Sequence, residues 1–240
     1  MATNSEERSE FLTYRYIFTF ANDEKRTFTL ELESATLNML PVGDRKAPEW
    51  ARLDHYQCEN CPLTLEEHPH CPVAVSIADL VTFAGDSDSF EKVHVEVQSD
   101  TRTYSAETSL QKGVSSVLGL HMVTSGCPVL AKLKPMVRFH LPFSTLSEVT
   151  YRTISMYLVS QYFAQKRGKT PDWSLGKLRQ IYDDIHIVNQ HFWQRLAHLQ
   201  GKDANVNALL LLDNSGTHLQ FQLDEGLLSE IELLCDQYFE

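Results

Sequence analysis

The 240-residue chain has few cysteines, few basic residues and no long apolar run. Each shortage excludes something. Five cysteines, an odd number, fit a disulfide-stapled scaffold poorly. Lys and Arg total 21 against 32 Asp and Glu, and the resulting formal charge of −11 repels a phosphate backbone. The basic stretches Gln165–Lys169 and Lys132–Lys134 are short and of the kind that ordinarily lies in solvent, so nucleic acid is a disfavoured partner. The longest apolar run, Ala208–Leu212, falls far below the roughly 18 residues of a membrane span. The opening MATNSEERSE lacks the basic and apolar regions of a secretory signal, so the expected compartment is the cytoplasm, where thiols stay reduced. A Gly-x-Gly-x-x-Gly turn, a Walker loop, a nucleophile elbow and a His-Glu-x-x-His pair are all missing.

What is present suits a packed core. Hydrophobic residues make up 42% of the chain, with 12 Phe and 9 Tyr, enough for a single domain over residues 1–240. Tyr14, Tyr16, Phe18 and Phe20 alternate with polar residues, and after Asn22–Lys25 the alternation resumes through Phe28, Leu30 and Leu32. That pattern predicts a β-hairpin with one buried face. Val93, Val95 and Val97, followed by Thr101–Glu107, predict a second hairpin, with His94 and Glu96 on its polar face. This His-x-Glu lacks the downstream Pro-Cys-x-x-Cys of a zinc deaminase and reads as solvated sheet.

From Ser109 the period becomes helical. Leu110, Val114, Val117, Leu118 and His121 predict one helix, and Pro128, Leu130, Leu133 and Met136 a short second one. Tyr151, Ile154, Leu158 and Tyr162 form one stripe. Leu178, Ile181, Ile185, Val188, Phe192, Leu196 and Leu199 form the longest, over about Leu175–Leu199. Asn205–Asp213 and a terminal helix through Leu227, Ile231, Leu234 and Tyr238 follow, with Cys235 on that last stripe as a small buried hydrophobe. Strands precede helices without βαβ alternation. The expected fold class is α+β: a small antiparallel sheet and Cys-rich loop over about 11–108, packed on a helical half over about 109–240.

The segment YQCENCPLTLEEHPHCPVAV, Tyr56–Val75, concentrates three cysteines and two histidines. Cys58 and Cys61 form a Cys-x-x-Cys, a spacing at which one tight turn aims two thiolates at one ion. Alone, that pair is weak evidence. Cys71 precedes Pro72 and an apolar period through Val73, Ile77, Leu80, Val81 and Ala84, which places it at a helix start. Cys127 repeats the arrangement as Gly126-Cys127-Pro128, and a helix N-terminus stabilises thiolate charge. The predicted ligand set is therefore Cys58, Cys61, Cys71 and Cys127, forming a four-cysteine metal centre at the junction of the two regions. His70, then His68 and His55, compete with Cys127 for the fourth place, although histidines in a proline-containing loop are ordinary surface residues.

Four thiolates suit zinc and a four-iron cluster alike. Zinc ribbons usually offer two Cys-x-x-Cys knuckles, and one is present. Proline follows Cys61, Cys71 and Cys127, as it follows ligating cysteines in ferredoxin-type runs. This tips the expectation slightly toward an iron–sulfur cluster over zinc. Cys-Pro also occurs at haem-regulatory sites, a two-residue signal of little specificity.

Taken together, CENCPL, HCPVA, SGCP, LKPMVRFHLPF and YRTISMYLVSQYF resemble an uncharacterised bacterial family known as a domain of unknown function. The resemblance runs over most of the chain and implies a bacterial cytoplasmic protein. It brings no activity and no functional residue with it.

Two other groups carry possible chemistry. Asp183, His186 and Asn189 share one face of the long helix and could form an acid/base site, although a solvated polar face is the plainer reading. Arg138 and His140 follow the Cys127 helix and could donate to the centre from behind its ligands. The expected function is a soluble metal-binding protein with a structural or redox-sensing role, regulatory or engaging a protein partner. The alternative is an enzyme using Asp183 and His186 with Arg138 or His140, its metal purely structural.

Overall fold

The computed structural model describes residues 9–40, 46–85, 87–199, 203–222 and 231–239. The aromatic alternation becomes β1 (Phe11–Phe20) and β2 (Lys25–Glu33), joined through Asp23, whose φ is 62°. The valine alternation becomes β3 (Lys92–Ser99) and β4 (Thr103–Ser109). Both hairpins join one antiparallel sheet of order β2-β1-β3-β4, through pairs such as Tyr16 with Val97 and Phe18 with Val95. One face buries Tyr14, Tyr16, Phe18, Leu30, Leu32, Val93, Val95 and Val97. The other is polar: His94 Nδ1 meets Glu107 Oε1 at 2.8 Å on exposed sheet, the solvated role expected of it. The class is α+β.

The helix α3, following two short ones between β2 and β3, runs Leu110–Thr124 against the buried face. Gly113 is where it comes closest. A Cβ there would lie 2.7 Å from Phe18 Cε1 and 3.0 Å from Val95 Cγ2. The long helices α5 (Leu146–Lys166), α6 (Gly176–Ala197) and α7 (Ala204–Gln222) complete the helical half, with α7 packed on both α3 and α6. On α6 the predicted stripe is largely buried, through Leu178, Ile185, Val188, Phe192 and Leu196.

Four expectations need correction. The helix predicted after Cys71 is two, α1 (Pro72–Ser76) and α2 (Ala78–Gly85), broken where the buried Ile77 turns to φ −99° and ψ 3°. Cys127 does not begin an α-helix: a 3-10 turn, Leu130–Leu133, intervenes before α4 (Lys134–Arg138). On α5 the buried positions are Thr150, Thr153, Ile154 and Tyr157, and Tyr151 and Tyr162 are exposed. Hydropathy counted the threonines as solvent-facing, yet Thr153 and Tyr157 satisfy their hydroxyls inside, against Tyr182 and Asp172. Lastly, the apolar stripe expected at the C-terminus is solvent-facing where it is described. Leu234 is 82% and Tyr238 86% exposed, Cys235 is only half-buried, and Leu227 lies outside the described residues.

Substituting Gly113→Ala should destabilise the fold by about 1–3 kcal/mol, because core side chains on two strands must shift. Urea unfolding would measure it, and an unchanged midpoint would contradict the close approach. Burial holds the pKa of His121 down at about 4, from the ordinary 6.5. Below pH 6.5 the unfolded chain therefore takes up a proton that the folded chain refuses until pH 4. Stability should fall by about 2 kcal/mol from this group between pH 7 and pH 5. A His121→Gln variant should show a correspondingly smaller loss over that range.

Candidate functional site

The Cys-x-x-Cys forms a tight turn in which Cys61 N–H donates to the Cys58 carbonyl at 3.0 Å. Tyr56, at φ 52°, delivers the chain into it. The turn is docked on α6: Asn60 Nδ2 donates to the Asp184 carbonyl at 2.9 Å, and Tyr56 OH meets His198 Nε2 at 2.8 Å. Glu59 stands 3.7 Å from His191 Nε2.

Cys71 is fixed from its other side. Its N–H donates to the Ala51 carbonyl at 2.8 Å, and Arg52 and His70 form an isolated antiparallel bridge. Its helix α1 therefore starts from a pinned backbone. Cys127 arrives from the end of α3 through Gly126, at φ 100°, a conformation that suits glycine. A Cβ on Gly126 would lie 4.0 Å from Pro72 Cβ, so the Cys71-Pro72 and Gly126-Cys127 segments lie side by side.

The four cysteines share one electrostatic neighbourhood. Burial pushes the Cys58 thiol up to about 12, and negative charge on Cys71, Cys61 and Cys127 pushes the same way. Burial likewise raises Cys127, as would charge on Cys71 and Cys61, while the backbone N–H groups of Leu130 and Val129 act on its sulfur in the opposite sense. Among the described residues, however, no three His, Cys, Asp or Glu side chains are arranged to hold a metal ion. The four-cysteine metal centre expected at the junction is thus not supported among the described residues.

The residue that sequence reasoning missed is Arg195. It lies on α6 at 2% exposure, and its Nη1 donates to the carbonyls of Trp50 and Arg52 at 2.8 Å each. Its Nε is buried without a partner. Burial lowers its pKa, and charge on Cys71, Cys58 and Cys61 would raise it. A signal existed: Arg195 sits three positions after Phe192 and next to Leu196, inside an apolar stripe.

His140 does not take the supporting role expected of it. His140 Nε2 instead meets Tyr16 OH, its ring stands edge-on to Tyr14, and Arg138 acts on Tyr14. His68 is exposed, and His70 belongs to the backbone bridge. On α6, His186 Nδ1 meets Asp213 Oδ1 of α7 at 2.8 Å, and Asn189 Nδ2 donates to the same oxygen at 3.1 Å. Asn189 is buried, not solvated, and Asp213 could not be found from the periodicity of α6 alone. Asp213, Asn189, Gln190 and Trp193 line an open cleft of about 380 Å³.

Thiols held this high are poor nucleophiles at neutral pH, the reverse of a thiol–disulfide exchange site. Cys58 and Cys127 should therefore alkylate at pH 7.5 at least roughly tenfold more slowly in the native protein than in urea. Mass spectrometry of iodoacetamide-treated protein measures this, and equal rates would refute the burial.

No curated protein and no solved structure matches the chain. A family model does, over residues 12–235, and it is described as a domain of unknown function (DUF6901). With nearly the whole chain inside that match, the protein belongs to this family.

Proposed function

We propose that Cys58, Cys61, Cys71 and Cys127 together hold one thiolate-ligated metal centre, a four-iron cluster or, almost as readily, zinc, with a structural or redox-sensing role in regulation or partner binding. The observation that carries this reading is that Cys58 feels Cys61, Cys71 and Cys127, from three separated segments, and that the buried Arg195 feels Cys58, Cys61 and Cys71. As plain thiols, Cys58 and Cys127 would be held neutral and inert by burial. As metal-bound thiolates they carry negative charge, and the N–H groups of Val129 and Leu130 stabilise it at Cys127. Bound there, a cluster would supply one-electron redox chemistry and tie the Tyr56–Cys71 loop to the end of α3.

Protein purified without oxygen should be brown and contain iron and acid-labile sulfide. Colourless protein carrying one zinc would replace the cluster with a structural zinc site, and metal-free folded protein would end the reading. Cys58→Ser and Cys71→Ser should each lose metal and solubility, because ligation contributes folding free energy directly. Cys235→Ala should keep wild-type metal content.

A second reading has its own observation. The His186–Asp213 pair beside an open cleft fits an acid/base site, with Asp213 orienting the imidazole. Turnover of chromogenic ester, amide or phosphoester substrates by wild type and not by His186→Gln would establish it. Identical behaviour of the two proteins removes it.

A further inference from the structure

Independently of what the cysteines hold, we infer that the solvent-facing stripe of α5 pairs antiparallel with the same stripe of a second copy of this chain.

α5 has two unlike faces. One is anchored in the fold: Thr150, Thr153, Ile154 and Tyr157 are buried, and the last two cluster with Leu175, Leu178 and Tyr182. The opposite face is exposed yet apolar, with Tyr151 at 56%, Val159 at 50%, Tyr162 at 48% and Phe163 at 53%. Phe139, 66% exposed, extends it, its carbonyl held beside the helix by Arg152 Nη2 at 2.6 Å. Glu148, Tyr151, Ser155, Val159, Tyr162 and Lys166 recur at intervals of three and four, which sets them along one line of the helix. Single exposed aromatics are ordinary, but five large apolar side chains on one side of a helix mark an interaction surface.

Charge decides what covers it. The chain totals −11, yet residues 146–169 carry four basic side chains and one acidic. The acid, Glu148, begins the line and Lys166 ends it. At a rise of about 1.5 Å per residue they stand about 27 Å apart, too far to meet within one chain. Lys166 Nζ rests 5.4 Å from the centre of the Tyr162 ring, and Glu148 Oε2 closes the N-terminal cap with Thr145. A second copy laid antiparallel brings Glu148 of each opposite Lys166 of the other. In that register Tyr151 comes opposite Phe163, and Ser155, the small residue of the line, opposite Val159. Arg167 and Lys169 come opposite Ser147 and Thr145, so no like charges face each other. The stripe is thus its own complement under a two-fold axis, as an isologous dimer requires. An acidic partner would satisfy Lys166 but set like charge against Glu148. From side chains of about 150–250 Å² each, the exposed fractions give about 500 Å² per copy, the low end for a specific interface. The dimer is therefore weak, of micromolar strength.

The test is sedimentation velocity on the full chain at about 1–100 μM in low salt. A mass near twice 27.4 kDa should appear as concentration rises. Val159→Glu, at an exposed position outside the cap, should weaken association at least roughly tenfold with an unchanged circular-dichroism spectrum. Lys166→Glu and Glu148→Lys should each weaken it too, since each puts like charges opposite. An equimolar mixture of these two variants should associate at roughly wild-type strength, because both oppositions of charge are then restored. Glu148→Lys also loses the capping box; should it fail to fold, Val159→Glu and Lys166→Glu decide alone. Wild type that stays monomeric throughout the range would overturn the inference and leave the stripe to an unlike partner. So would a dimer that Val159→Glu leaves intact, or folded charge variants that do not associate when mixed.

Discussion

A guanidinium buried to 2% exposure is the constraint around which this half of the molecule is organised. Desolvating a charge that completely is tolerable only where dipoles and opposite charge surround it. Arg195 meets part of that need with the carbonyls of Trp50 and Arg52, which fixes the chain just before the Cys-x-x-Cys turn. Arg52 itself bridges to His70 and Leu53 N–H donates to the Pro69 carbonyl, so a single side chain on α6 governs where two cysteine segments begin. Asn60 and Tyr56 then seat the turn on the same helix. The rigidity of the cysteine neighbourhood is thereby borrowed from α6, whose own position is set by a buried apolar stripe.

The sheet provides the other fixed body. Its buried face receives α3 at Gly113, where the absence of a side chain lets helix and strands approach. The far end of α3 delivers Cys127 through Gly126. Two glycines on or beside one helix thus relate the sheet to the cysteines: one sets how close the helix lies, and the other how the chain leaves it.

Much of this was legible in the residues. Strict alternation at Tyr14–Phe20 and Val93–Val97 gives strands because period two can bury only one face of a sheet, and the long stripe from Leu178 to Leu199 gives α6 for the same reason at period 3.6. The joining of the hairpins through β1 and β3 was not legible, because pairing between distant strands leaves no local mark. The break at Ile77 escaped notice since the apolar positions keep time across it. The buried threonines of α5 were hidden by their polarity, as was Asn189. The helix start expected at Cys127 was imprecise: a 3-10 turn stands where an α-helix was expected, yet the N–H groups of Val129 and Leu130 still act on the sulfur. Arg195 and Asp213 act across helices, and only tertiary structure brings such partners into view.

The closeness of the Gly126 and Pro72 segments has a consequence for folding. It closes a ring of chain that contains β3, β4 and α3 whole. Each hairpin and α3 can form from local contacts within microseconds, but β3 reaches β1 only after the segment from Ser34 to Glu91 is looped out. Cys71 and Cys127 stand at the two ends of that ring, which the packing of α1 on α3 closes. Closing a ring of this length costs chain entropy that grows only slowly with its size.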